Sequence, residues 1–222
     1  ITKINFIKKK NVKKSILNKI IFSLKKYDLK SFDTILLHDS KILRDKNAIE
    51  YVGILKDLKK LKYCKSIGVS IYEPKEIQLI TKYFKPDVIQ APLNIFDQRL
   101  IKSKWLRYLI KNNIKIHVRS IFLKKVLLLD RNKLPKYFQK WNKYFLNFEK
   151  ICNRHKLSKI HACLNYVFQF KYIQGIVIGV DNASQLKEIM NTKIIKNKKA
   201  LKELSLLNKN NVKLIDPRNW NF

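Results

Sequence analysis

The sequence predicts an α/β fold in which strands and helices alternate around a parallel sheet, and three observations carry that prediction. Short β-branched apolar runs alternate with longer amphipathic stretches, the rhythm of repeated βα units. The apolar runs are nearly continuous, as strands buried on both faces must be. The chain has 222 residues, close to the ~250 typical of one α/β barrel and long enough for a sizeable core. A single domain over 1–222 is expected, with no internal repeat beyond the βα rhythm and no low-complexity linker.

The strand candidates are Ile1–Asn5, Thr34–Leu37, Ser66–Val69, Val88–Ile89, Ile114–Val118 and Ile176–Val180. Between them, Val12, Ile16, Ile20 and Leu24 recur at helical spacing over 12–27, and Ile49, Val52, Leu55, Leu58 and Leu61 do so over 48–62. Further helices are expected at 74–84, 99–112, 136–154, 158–170 and 198–208. Pro86, Pro92 and Pro135 punctuate loops or element starts. Trp105, Trp141, Phe145 and Phe148 fall at helical spacing and read as packing.

A formal net charge of +33 suggests, taken alone, a nucleic-acid or acidic-membrane partner. Its make-up argues otherwise. There are 42 Lys but 7 Arg, together with 30 Ile and 20 Asn, whereas nucleic-acid readers lean on Arg for bidentate contacts. Lys, Ile and Asn share A/T-rich codons, so compositional bias accounts for a solvated lysine surface spread over every helical segment. No run of ~20 apolar residues is present, so a membrane span is not expected. The three cysteines, Cys64, Cys152 and Cys163, are widely spaced and make neither a metal-ligand pattern nor a disulfide framework. No metal is expected, and reduced thiols fit a cytoplasmic protein. The chain opens on Ile1 rather than Met, which reads as an incomplete start.

In α/β barrels, ligands collect at the carboxyl ends of the strands. Here Lys3 follows Ile1-Thr2, His38-Asp39 follows Leu36-Leu37, and Ser70 follows Gly68-Val69. Gln90 follows Val88-Ile89 with Asn94 beyond, Arg119-Ser120 follows His117-Val118, and Asp181-Asn182 follows Gly179-Val180. One such ending is unremarkable, but a full set points to a polar rim around a site.

These strand ends are where the sequence resembles the aldo/keto reductase family. The matching segments are Thr2-Lys3, Asp33 with Leu36-Leu37-His38, Ile67-Gly68-Val69-Ser70, Asp87-Val88-Ile89-Gln90-Ala91-Pro92-Leu93-Asn94, Val118-Arg119-Ser120 and Gly179-Val180. Ser184-Gln185-Leu186-Lys187-Glu188 follows, and the order fits from residue 1 to about 190. The resemblance implies a (β/α)8 TIM-barrel type, incomplete, with about six of eight βα units present and the first two strands lacking. It implies NAD(P)H-dependent reduction of an aldehyde or ketone through an Asp, Tyr, Lys and His tetrad. Lys3 is then the lysine that lowers the pKa of the tetrad tyrosine, and His38 the donor that orients the carbonyl. The tetrad Asp and Tyr belong after the two lacking strands, so this chain alone is expected to be inactive.

For the cofactor, the resemblance places Ser70 and Gln90 on the nicotinamide carboxamide and Arg119 and Ser120 beside the nicotinamide and pyrophosphate. It places Gly179, Asn182, Gln185 and Glu188 on the adenosine end. NADP(H) is the expected cofactor, with NAD(H) the alternative because no basic residue for the 2′-phosphate stands out. Two departures are visible. Ile71 stands where the family has Asn, and Lys124-Lys125 stands where a bacterial branch has Gln-Gly. That branch, matched also by Asn94-Ile95-Phe96-Asp97-Gln98-Arg99 and Asp216-Pro217-Arg218, is associated with surface-sugar genes, so a small sugar-related carbonyl compound is the expected substrate. Within the residues themselves, Asp97 and Arg99 read as a pair holding a loop, and His117, inside a strand, as packed in the wall. The alternative function is a non-catalytic degenerate barrel that binds a nucleotide or a partner. The oligomeric state is not legible.

Overall fold

The computed structural model describes residues 1–5, 11–194, 197–209 and 211–221. Among the described residues six strands, β1 (Thr2–Ile4), β2 (Phe32–Leu37), β3 (Cys64–Ser70), β4 (Val88–Pro92), β5 (Lys115–Arg119) and β6 (Gly175–Val177), follow one another in the sheet in their chain order. β1 through β4 pair in parallel. Sequential parallel neighbours need a crossover between them, and helices supply it. The chain gathers into two compact units, Ile1–Ala91 with Ser103–His117 and Pro92–Lys102 with Val118–Phe222.

The first unit holds β1 to β4, the start of β5, and helices α1 (Val12–Lys26), α2 (Ala48–Lys60), α3 (Glu76–Thr81) and α4 (Lys104–Lys111). The α1 face is the one its spacing predicts: Val12, Ile16, Ile20 and Leu24 are buried. In α2 the buried stripe is rotated from the expected one. Tyr51, Val52, Leu55 and Leu58 are buried, while Ile49 and Leu61, taken from sequence as core, are 78% and 60% exposed. Ile49 lies in the first turn and Leu61 is the C-cap, so neither has a full turn of neighbours to pack against. At the centre of the sheet Leu36 pairs with Gly68 and Gly68 with Val88. A Cβ at Gly68 would stand 1.9 Å from the Val88 carbonyl oxygen, so β3 and β4 approach this closely only because that side chain is missing.

The second unit contains the loop 92–102, the end of β5, β6 and helices α5 (Asn142–Arg154), α6 (Lys159–Phe168), α7 (Ala183–Met190), α8 (Lys198–Ser205) and α9 (Val212–Ile215). Its core is aromatic. Phe138 meets Trp220 edge-on at 4.9 Å between ring centroids and Phe145 at 6.1 Å, and Phe145 meets Phe96 at 5.3 Å. Trp141, Phe145 and Phe148 are buried, as their spacing predicts. The helix expected over 136–154 starts as a 3-10 turn at Lys136–Trp141 and becomes α-helical at Asn142. β6 is shorter than the expected Ile176–Val180, because Ile178, Gly179 and Val180 leave the ladder to line a cavity.

Cys64, Cys152 and Cys163 are buried, free thiols. Burial pushes Cys64 up to about 11 and Cys152 up to about 12, and raises Cys163 as well, so all three stay protonated and inert. Among the described residues no helix is long and apolar enough to cross a membrane.

Candidate active site

In the first unit, strand register builds the site. Ile4 is opposite Leu37, Leu37 opposite Val69 and Val69 opposite Ile89. One step further along, Ser70 is opposite Gln90, and the same step brings Asn5 and His38 into that row. Two bonds fix the Asn5–His38 end: the His38 amide donates to the Ile4 carbonyl at 2.9 Å, and His38 Nδ1 hydrogen-bonds Asn5 Oδ1. Because side chains alternate along a strand, Lys3 shares a face with Asn5, one pleat back. The fold therefore brings four predicted residues, Lys3, His38, Ser70 and Gln90, to one face at the carboxyl ends of four adjacent strands. Asn5 completes the row. It was not singled out from sequence, although its place two residues after Lys3 is the available signal.

Burial divides the row. His38 is exposed and Lys3 lines a cavity of about 230 Å³ between β1 and α1, whereas Ser70 and Gln90 are 1% and 0% exposed. The Ser70 hydroxyl and both atoms of the Gln90 amide nonetheless have no hydrogen-bond partner. Buried polar groups are normally satisfied, so three orphans on adjacent strands mark a place shaped for a polar ligand. Ile71, where the family has Asn, is fully buried with its amide bonded to the Gln90 carbonyl at 2.8 Å. Its strand geometry is kept, and only the polar side chain is missing.

In the second unit, Arg119 Nη1 donates to Ser120 Oγ at 3.2 Å. Ser120 has φ 61°, a left-handed conformation, and Asn94 braces it. The buried Asn94 side chain accepts from the Phe96 and Asp97 amides, both at 2.9 Å, and donates to the Ser120 carbonyl at 3.1 Å. The same loop carries the expected Asp97–Arg99 pair, at 2.8 Å in two contacts. Burial raises the Asp97 pKa even against the bonds and charge of Arg99. Asp216 and Arg218 repeat the Asp-x-Arg clamp. Burial works against the Asp216 charge too, but the hydrogen bonds and charge of Arg218, with help from Arg99, hold its pKa below the usual carboxylate value.

Ser120 and Gly179 line one cavity of about 300 Å³, together with Lys124, Lys125 and Asp181. A Cβ on Gly179 would meet nothing within 4 Å, so the backbone there faces open space. Asn182 and Gln185 sit at its edge and hold α7 in place. Asn182 Oδ1 caps the Gln185 amide at 2.8 Å, and Gln185 Oε1 accepts from the Asp181 amide at 2.9 Å. Glu188 is not brought to this cavity. It lines a second one of about 520 Å³, where its carboxylate accepts from Ser158 Oγ at 3.4 Å. Among the described residues no group of three His, Cys, Asp or Glu could hold a metal ion.

The family model of the aldo/keto reductase family matches residues 1–209. The chain belongs to that family, whose members are oxidoreductases acting on carbonyl compounds. Solved structures agree on the fold. An aldo-keto reductase from Bacillus halodurans in its holo form is similar at a TM-score of 0.74 and 16% identity, over 99% of this chain and 76% of that one. An aldo/keto reductase from Brucella melitensis gives 0.65 and 20%, over 92% and 71%. A glycerol dehydrogenase from Gluconobacter oxydans gives 0.66 and 19%, over 96% and 68%. Comparison with curated proteins finds no significant match. The fold class is the (β/α)8 type with six of its strands present, as the sequence predicts.

Proposed function

We propose that this chain is the cofactor-binding and carbonyl-orienting part of an NAD(P)H-dependent reductase of aldehydes or ketones, with a sugar-related compound as substrate. The observation that carries the reading is the pair of buried, unpartnered side chains Ser70 and Gln90 beside His38 and Lys3. A nicotinamide carboxamide offers one acceptor and two donors, which suits a hydroxyl and an amide that otherwise have nothing to bond. The dinucleotide would supply the hydride.

The chain's own residues do the rest. His38 presents its ring at the row's end with Nδ1 committed to Asn5 Oδ1, an acceptor. Nε2 then donates to a carbonyl oxygen when the ring is protonated. Lys3 places an ammonium one pleat away, where it favours the anionic form of a neighbouring acid such as the family's tyrosine. Arg119, Ser120 and Gly179 would hold the phosphate-bearing portion, with Asn182 and Gln185 supporting the loop; Glu188, which lines the other cavity, falls outside this set. The 222 residues carry Lys3 and His38 of the tetrad but not its Asp and Tyr, so the chain alone binds without turning over. The setting is cytoplasmic, and residues 1–222 act as one domain.

The chain as it stands provides the test. NADPH should quench its tryptophan fluorescence and raise its melting temperature, since a ligand that binds only the folded state stabilises it. Gln90→Leu should abolish both effects. NADPH-dependent reduction of 4-nitrobenzaldehyde should stay at background. No NADPH binding at millimolar concentration, or binding indifferent to Gln90→Leu, would sink the proposal. Robust turnover would show that the proton donor lies within these residues.

A further inference from the structure

Leu123, Lys124 and Lys125 take left-handed φ values of 47°, 47° and 70° in succession. A side chain disfavours that conformation by crowding its Cβ against the carbonyl. Lys125 holds a backbone conformation that glycine adopts readily and a lysine does not. Strain of this kind persists where the surroundings hold it, and it gathers at ligand-binding loops. Lys125 lines the cavity of about 300 Å³, and its Nζ is bonded to Asp181 Oδ1, which lines the same cavity from the segment after β6. The two side chains are 54% and 52% exposed, so the pair is open to exchange with solvent ions.

We propose that Lys125 is the phosphate anchor of this cavity and that Asp181 is its resident counter-ion, displaced when a phosphoryl anion enters. The proposal rests on the dinucleotide reading above and names a specificity determinant within it. A phosphoryl group offers the same oxygen acceptors as the Asp181 carboxylate with more negative charge, so it competes for the ammonium on favourable terms. Until displaced, Asp181 competes for the Lys125 ammonium, so it tunes affinity downward through that lysine. Lys124 lines the same cavity and adds a second positive charge to it.

The test is a double-mutant cycle on this chain, read by NADPH, NADH and inorganic pyrophosphate binding at low ionic strength. Lys125→Met should weaken NADPH roughly tenfold. Asp181→Asn should tighten it a few-fold, and should have no effect when Lys125 is already Met. Lys125→Gly separates charge from backbone strain: it should melt higher than the parent yet bind as weakly as Lys125→Met. Loss confined to NADPH assigns the anchor to the 2′-phosphate, and equal loss for NADH assigns it to the pyrophosphate. Unchanged affinity in both Lys125 variants, or an Asp181→Asn effect independent of Lys125, overturns the proposal while leaving dinucleotide binding intact. Pyrophosphate binding that follows Lys125 without any dinucleotide binding upholds the anchor and overturns the dinucleotide reading. Binding of neither ligand overturns both.

Discussion

Gly68 and His117 show how single positions govern this fold from opposite directions. At Gly68 what matters is an atom that is missing. Gly68→Ala would push a methyl to within 1.9 Å of the Val88 carbonyl oxygen and force β3 and β4 apart. The variant should be destabilised by about 3 kcal/mol, the upper range for overpacking, visible as a lower urea midpoint. It should also weaken any ligand held by Ser70 and Gln90, two residues further along the same strands. At His117 what matters is a proton. The ring is buried with Nδ1 unpartnered, and burial lowers its pKa from 6.5, with the nearby Asp33 charge opposing that shift and Lys115 adding to it. The folded state keeps the ring neutral while the unfolded chain takes up a proton, so this group's contribution is full above about pH 6.5 and is lost as pH falls toward the folded value. His117→Phe should therefore lose less stability than the parent between pH 7.5 and 5.5 in urea titrations. His117 was legible as a wall residue because it sits inside an apolar run. Asn5 was not, because a single Asn among twenty carries no mark until the register shows its neighbour.

Elements came through from the sequence where burial is periodic and failed where a side chain interrupts it. β2, β3 and α1 follow directly from their apolar spacing. The helix expected over 99–112 begins only at Lys104, because residues 97–102 turn around the Asp97–Arg99 clamp and Asn94 instead. Neither partner in such a turn announces itself by hydrophobic pattern. The Lys125–Asp181 pairing is hidden for a related reason: 56 residues separate its members and nothing in either segment marks the other. Asn94→Ala tests the importance of the loop brace. It would leave the Phe96 and Asp97 amides and the Ser120 carbonyl without their bonds, a loss on the order of 3 kcal/mol. The melting temperature should drop, and Asn94→Asp should recover part of the loss by restoring the two accepted bonds.

For the whole molecule the dominant quantity is the net charge of +33. Read from sequence it could have signalled a polyanion partner. The fold instead places Lys and Arg across exposed helix faces and pairs some of them with carboxylates, as in Lys13–Asp57 and Lys59–Asp87. Such charge destabilises the compact state by self-repulsion, and salt screens it over about 8–10 Å at moderate ionic strength. Raising NaCl from 20 to 300 mM should therefore increase the melting temperature. A chain whose net charge mattered little to folding would show no such rise.

β1 has three residues, and among the described residues its strand register is with β2. So short a strand holds through few bonds, and segments with few bonds are the ones that open locally. When it opens, the bond from the His38 amide to Ile4 and the bond from His38 to Asn5 are lost together, and Lys3 leaves its place in the same motion. The lysine and the histidine thus depend on the same three residues, and a substitution that loosens β1 unsettles both at once.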